Sequence, residues 1–417
     1  MRIGVNAVPL NVKMGGLRQY FQRLFRELLA TDTGNTYVFF YCAENEDELK
    51  YLGTDRWREN SIKVADQGEI LQHMMTLDVY FCPFAVLWPR PMPIPTVVEL
   101  ADIQEVYYPQ FFKEDELRAR SLHYEPSTRA ADAIITLSEF SRQSIVHHHR
   151  ISQDKIFVTP LVTDAFSSES GWFNSNLELP DRFIFYPANH WQHKNHDTLL
   201  KALAFLKHER GVLINCVFTG FPMDNGYPLL DKIAEYGLAD QVMHVGYVSH
   251  DEMQGLYSRA TLLCFPSLFE GFGMPVLEAL EAGCPVVCAN ATSLPEIVGD
   301  AGVLFNPHDH CDVAAAILSV WHDENLRSEL IVKGKSQAKQ FSKSRMVEVH
   351  LQAFEYARQG FLPDSRFVYQ HYVFDRLARQ DVLEQQKTEF RLQMIENSLC
   401  WRITKPLRWL GDRIREL

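Results

Sequence analysis

What this chain of 417 residues lacks narrows its class before any motif is considered. No stretch approaches the roughly 18 consecutive apolar residues that a membrane-spanning helix needs. There is no excess of positive charge either: 41 Lys plus Arg stand against 53 Asp plus Glu, a formal charge of -12. A protein built mainly to hold nucleic acid leans the other way, because phosphate contacts need a basic surface, so no nucleic-acid partner is expected. The eight Cys are scattered, and the one close pair, Cys284 and Cys288, has no second pair to complete a zinc site. Buried, reduced thiols in a cytoplasmic protein are the expectation. The chain also lacks any Asp-x-Asp, any G-x-x-x-x-G-K-[ST] phosphate loop and any low-complexity tract. Disorder over most of the length is excluded by 46% apolar and 23% charged residues. The opening MRIGVNAVPL reads as a buried strand rather than a signal peptide.

What is present is a regular alternation. The run RIGVN is followed by Gly15 and Gly16, which open LRQYFQRLFRELLA, apolar at helical spacing. YVFFYC, SIKVA and DVYFC follow as strands, ADAIITLSEFSRQSIVHHH reads strand, turn, helix, and KIFVTPLV is a further strand. A Ser-, Asn- and Gly-rich break, SSESGWFNSNLELPD, falls at 167–181. The alternation then restarts at FIFYPA and runs to about Leu304. Such a pattern is the mark of parallel, doubly wound α/β sheets, whose ligands bind beyond the carboxyl ends of the strands. The expected domains are 1–170, 178–345 and a helical C-terminal extension at 346–417, with a cleft between the first two. The extension ends in CWRITKPLRWLGDRIREL at 400–417, where five Arg or Lys face two acids among Trp, Leu and Ile. That tail reads equally as a packed terminal helix or as an interfacial helix making peripheral contact with a membrane surface.

The most informative segment is SLFEGFGMPVLEALEAGCPVV, 267–287. A strand ends near Pro266, a Gly-containing loop follows, and Pro275 stands where a helix is expected to begin. Gly271 and Gly273 let backbone approach a ligand, and a helix N-terminus presents amides and a positive dipole end, an anion site suited to phosphate. Glu270 and Glu278 flank it, and carboxylates suit sugar hydroxyls. Phosphate and hydroxyls recognised together describe a nucleotide-sugar. A Gly turn with two solvated Glu is the bland alternative.

EGFGMPVLE, two Glu separated by seven residues, resembles the signature of the retaining family 4 glycosyltransferases, which have the GT-B fold: two Rossmann-like domains facing a central cleft. The likeness spans about residues 1–345 and is of the mannosyltransferase-like, bacterial surface-polysaccharide type. It implies that Glu270 contacts the donor sugar, that Glu278 holds the nucleotide ribose, and that the amides of Gly271, Phe272, Gly273 and Met274 face the donor. YPANHWQHKNHDTLLKAL, 186–203, resembles the segment whose Lys binds the donor diphosphate, which maps to Lys194; Asn189 stands where the family usually has Arg. Gly15 and Gly16 match the glycine loop facing the cleft. TVVELADIQEVYYPQFF, 96–112, matches an acidic-and-tyrosine loop in which Asp102 remains and Ala101 replaces the common His. The resemblance implies a hexosyl transfer, with mannose from GDP-mannose as first guess, to a glycan or lipid-linked glycan, with no cofactor and no metal. A nucleotide-sugar epimerase of the same fold and a non-catalytic nucleotide-sugar-binding subunit are the alternatives.

Other features read as structural. His147–His149 point around a helix, and His190, His193 and His196 have no carboxylate at ligand spacing, so no metal site is assigned. GFGMPV lacks the third glycine of a dinucleotide fingerprint. Asp102 suits a loop cap as well as a site, and Glu296 in SLPEIVGDAG reads as part of a capped helix.

Overall fold

Short runs rich in β-branched and aromatic residues, two to six long and buried along their length in the central strands, build two wholly parallel sheets. The structure, a computed structural model, describes residues 1–89, 92–163, 178–223 and 226–361. The first sheet contains β1 (Arg2–Asn6), β2 (Thr36–Tyr41), β3 (Ile62–Lys63), β4 (Val79–Cys82), β5 (Thr96–Glu99), β6 (Ala133–Thr136) and β7 (Ile156–Val158), in the order 3-2-1-4-5-6-7. The second contains β8 (Ile184–Pro187), β9 (Cys216–Thr219), β10 (Val242–His244), β11 (Leu262–Phe265), β12 (Val286–Ala289) and β13 (Gly302–Phe305), in the order 10-9-8-11-12-13. Both are doubly wound, and in each the order reverses between the first strand and the fourth, opening a crevice at their carboxyl ends. The break at 167–181 lies mostly outside the described residues.

Apolar helix faces cover both sheets. Helix Gly16–Thr31 buries Phe21, Leu24, Phe25 and Leu28, and Phe25 meets Phe39 of β2 edge-on at 4.9 Å. The last described helix, Lys343–Gly360, does not extend away from the second domain. It returns to the first sheet, burying Met346, Val349, His350, Ala353, Phe354 and Ala357. Phe354 packs on Phe81 of β4 at 5.3 Å, and the buried His350 ring bonds Tyr20 Oη at 2.8 Å. Residues 346–360, expected in a separate extension, therefore finish the first domain's core. Residues 362–417, including the basic tail, lie outside the described residues.

The thiols differ in part from expectation. Cys82, Cys216, Cys264, Cys284 and Cys288 are buried, with desolvation pushing Cys82, Cys284 and Cys288 up to about 12. Cys42, ahead of a short 3-10 turn, is only partly buried, and Cys311, in the first turn of a helix, is exposed. All seven are free thiols.

Candidate active site

The loops at the carboxyl ends of β8 and β11, neighbours at the second sheet's reversal point, carry Lys194 and Glu270. Several bonds stitch these loops together. Leu268 N donates to His193 O at 2.8 Å, and Asn195, in the left-handed region at φ 58°, donates from Nδ2 to Pro266 O at 3.0 Å and Pro307 O at 2.8 Å. The Tyr186 hydroxyl donates to Lys194 O from below. Lys194 Nζ is thereby held 2.6 Å from Glu270 Oε1, with both side chains mostly buried.

Glu270 is fixed through its backbone. Its amide donates to Thr292 Oγ1 at 3.0 Å, and the fully buried Ser293 hydroxyl lies 3.0 Å from Glu270 O and 2.7 Å from Phe272 O, shared between them. Thr292 adopts φ 52°, a conformation β-branched residues avoid, of the kind found where surrounding contacts over-determine a site. Gly273 precedes the helix Met274–Ala282 at φ 114°, where a side chain would be strained. Pro275 occupies the second helical position, not the first. It has no N–H, and the Val276 and Leu277 amides turn to Gly273 O, so Gly273 and Met274 supply the amides at the helix mouth.

Asp102, from the loop after β5, faces this assembly from the first domain. A Cβ on Gly271 would come within 2.5 Å of Asp102 Oδ2 and 3.2 Å of Ala101 O, so only glycine lets the loops meet. Asp102 also caps its own loop, Oδ1 accepting from Gln104 N at 3.0 Å. Removal from water pushes its carboxyl up; the Gln104 amide, Arg120 and Lys194 oppose that, and Glu270 adds to it.

Glu278 points elsewhere. Tyr257 Oη donates to its Oε2 at 2.8 Å, and both line a small cavity closed by Arg23 and Thr163 of the first half of the chain. Gly15, at φ 54°, and Gly16 face open space at the start of the first helix; no described contact joins them to the Glu270 loop. Asn189 is exposed, and its Oδ1 accepts from Phe221 N at 2.9 Å, tying two loops. Thus Lys194, Glu270, Gly271 and Asp102 converge, Phe272, Gly273 and Met274 follow on the same loop, and Asn189, Gly15 and Gly16 stand apart.

Several histidines cluster close to Lys194. His190 and His244 approach at 3.2 Å between Nε2 atoms, and His196 packs on Tyr186 at 5.0 Å between ring centroids. Burial lowers His190 to about 4 and His196 to about 3, and burial together with the Lys194 charge lowers His193 to about 2. Among the described residues the one three-member group with metal-ligand spacing is Asp309, His310 and Cys311, three consecutive residues at a helix start that include neither Lys194 nor Glu270.

Sequence reading missed Thr292, Ser293 and Tyr257. Thr292 and Ser293 lie just ahead of the SLPE helix and look like ordinary turn residues, while Tyr257 stands at a helical core spacing. Glu296 lies in a helix as expected, Leu294–Val298, but that helix has no side-chain cap; Glu296 itself accepts from Glu139 N at 2.9 Å and Phe140 N at 3.0 Å, capping helix Glu139–His149 of the other domain.

Residues 171–337 match the family model "Glycosyl transferases group 1". The chain is 27% identical over 376 residues to "O-antigen chain mannosyltransferase B" of Escherichia coli, covering 82% of this chain and 96% of that protein. It is 29% identical over 233 residues to "Serotype-specific mannosyltransferase WbdA" of Escherichia coli, covering 54% of this chain and 29% of that longer protein. Among solved structures, Anabaena HepE in complex with UDP superposes with a TM-score of 0.66 at 16% identity, over 85% of this chain and 99% of that one, which gives the fold as GT-B.

Proposed function

We propose that this chain, which carries a group 1 glycosyltransferase domain on a GT-B fold, moves a hexose from a nucleotide-sugar to a glycan or lipid-linked glycan, retaining the anomeric configuration and using no metal. The Lys194–Glu270 pair beside the helix mouth at Gly273, opposite Asp102, is the observation that carries this reading. A diphosphate is the anion that would draw Lys194 from Glu270. The ammonium, the Gly273 and Met274 amides and the helix dipole then oppose the negative charge that grows as the bond from the sugar's anomeric carbon to phosphate oxygen breaks. Glu270, released, accepts from sugar hydroxyls, and Asp102 approaches the same sugar from the acceptor side. Glu278, oriented by Tyr257, accepts from the ribose hydroxyls. The acceptor oxygen bonds to the anomeric carbon, and its proton passes to the departing phosphate oxygen, so no protein nucleophile is required.

Mannose from GDP-mannose is the first donor to test, because the two Escherichia coli relatives above are named as mannosyltransferases. The HepE complex contains UDP, so uridine nucleotides belong in the same test. The protein is read as cytoplasmic, with peripheral membrane contact through 400–417; no helix among the described residues is long and apolar enough to cross a membrane.

Thermal unfolding with a panel of GDP- and UDP-sugars tests the reading, since a ligand that binds only the folded state stabilises it by about 2.7 kcal/mol at a hundred times its Kd. One nucleotide series should raise Tm in the wild type and do so less in Lys194→Ala. No rise with any nucleotide would end the proposal.

A further inference from the structure

Two side chains, one from the Glu270 loop and one from the helix Leu294–Val298 just after Ser293, reach across the cleft to the same helix of the first domain. Phe269, immediately before Glu270, is 2% exposed and inserts among Tyr107, Tyr108 and Phe140, at centroid distances of 5.5, 6.1 and 5.8 Å. Tyr107 follows Asp102 in its loop and is fixed to helix Glu139–His149 by a 2.8 Å bond between its hydroxyl and Ser144 Oγ. Glu296 lies three residues after Ser293, which holds the Glu270 and Phe272 carbonyls, and its two carboxylate oxygens take the first two amides of that helix. Ser138 caps the Ser141 amide of the same turn, so the helix start is completed jointly by its own Ser and by a carboxylate from the other domain. Charge-assisted bonds to an anion at a helix N-terminus are the stronger kind. Gln337 donates from Nε2 to Ile297 O at 3.1 Å, steadying the short Glu296 helix from behind.

We infer that Glu296 is a positioning residue, a latch that with Phe269 holds the two domains in the closed arrangement in which Gly271 abuts Asp102 and Glu270 meets the acceptor side. The latch rests on the glycosyl-transfer reading of the site for its effect on turnover, but not for its effect on domain closure. Glu296 contacts helix backbone, so its removal acts on alignment of the two half-sites rather than on the nucleotide.

The test uses the full chain as wild type, Glu296→Gln, Glu139→Pro and the double variant. Glu139→Pro removes one donor to Glu296 from the opposite domain, at a first helical position that suits proline, and Ser138 before it is already extended. GDP and UDP are titrated by calorimetry, transfer is assayed with the nucleotide-sugar that binds, and domain closure is read by small-angle scattering. The expected result is nucleotide affinity within about threefold of wild type, kcat down on the order of tenfold in each single variant, and a double variant no worse than the worse single one, as for two sides of one contact. The radius of gyration should rise in each variant. Unchanged kcat and scattering in Glu296→Gln and Glu139→Pro would overturn the latch, as would nucleotide affinity falling in step with kcat, which would put Glu296 in the donor site. If Glu296→Gln fails to fold, Glu139→Pro reads the same bond. A wild type that binds nucleotide yet transfers nothing defeats the enzyme reading alone, and scattering still decides the latch.

Discussion

At the scale of single residues, the two glutamates of EGFGMPVLE have separate surroundings and should fail separately. Glu278 is oriented by Tyr257 at the edge of a cavity, whereas Glu270 is paired with Lys194 and faces Asp102. Glu278→Ala should weaken binding of the free nucleotide by about 1–3 kcal/mol, the usual loss for a hydrogen bond to a charged group, as calorimetry would read it. Glu270→Ala should leave that affinity near wild type and lower turnover instead; equal nucleotide affinity in wild type and Glu278→Ala would remove the ribose assignment. Gly271→Ala tests the close approach of the two loops. Its added methyl meets the Asp102 carboxylate, not its own backbone limits, so the protein should fold normally, bind nucleotide, and lose transfer. A Gly271→Ala enzyme with full activity would mean that the loops do not meet during turnover.

Among the elements, the doubled alternation of strand and helix was legible because each fully buried strand is a short apolar run and each helix keeps its period. EGFGMPVLE was legible because a glycine loop, a proline near the helix start and two carboxylates leave a local trace. What left none was long-range. Glu296 caps a helix 157 residues earlier in the chain, and the return of Lys343–Gly360 to the first sheet depends on where an amphipathic face docks, not on its period. The histidines give these elements a pH dependence. His350, on the returning helix, is fully buried and lowered to about 4, and His196, close to Lys194, is fully buried and lowered to about 3. In the unfolded chain both titrate near 6.5. Below that pH the unfolded state holds more protons than the folded state, so stability present above about 6.5 is lost as pH falls toward about 4, by up to about 1.4 kcal/mol per pH unit for each such histidine. Urea midpoints should therefore fall between pH 7.5 and pH 5; a flat profile would show that these rings protonate in place.

For the whole molecule, the proposed site draws on two sheets, Asp102 from the first and Lys194 and Glu270 from the second, which makes the charge balance between them decisive. In the proposed chemistry the leaving diphosphate is met by Lys194 and backbone amides, and the sequence has no Asp-x-Asp to hold a divalent ion. Transfer should accordingly survive excess EDTA; activity lost to EDTA and restored by manganese or magnesium would contradict that chemistry. The tail at 400–417 has five basic and two acidic residues on a chain of -12, and each cation near an anionic bilayer contributes roughly 1 kcal/mol. A chain ending before Ser398 should lose binding to anionic liposomes and keep activity on a soluble acceptor, and liposome binding that survives truncation would assign the tail to packing. The most direct test of the central reading is proton NMR of the wild type and Lys194→Ala, each incubated with GDP-mannose and a short mannoside acceptor, and with UDP-hexoses in parallel. The account predicts release of nucleoside diphosphate with a new glycosidic anomeric signal of the same configuration as the donor in the wild type, and near-complete loss of both in Lys194→Ala. Transfer that proceeds equally well without Lys194, or a product of inverted configuration, would contradict it.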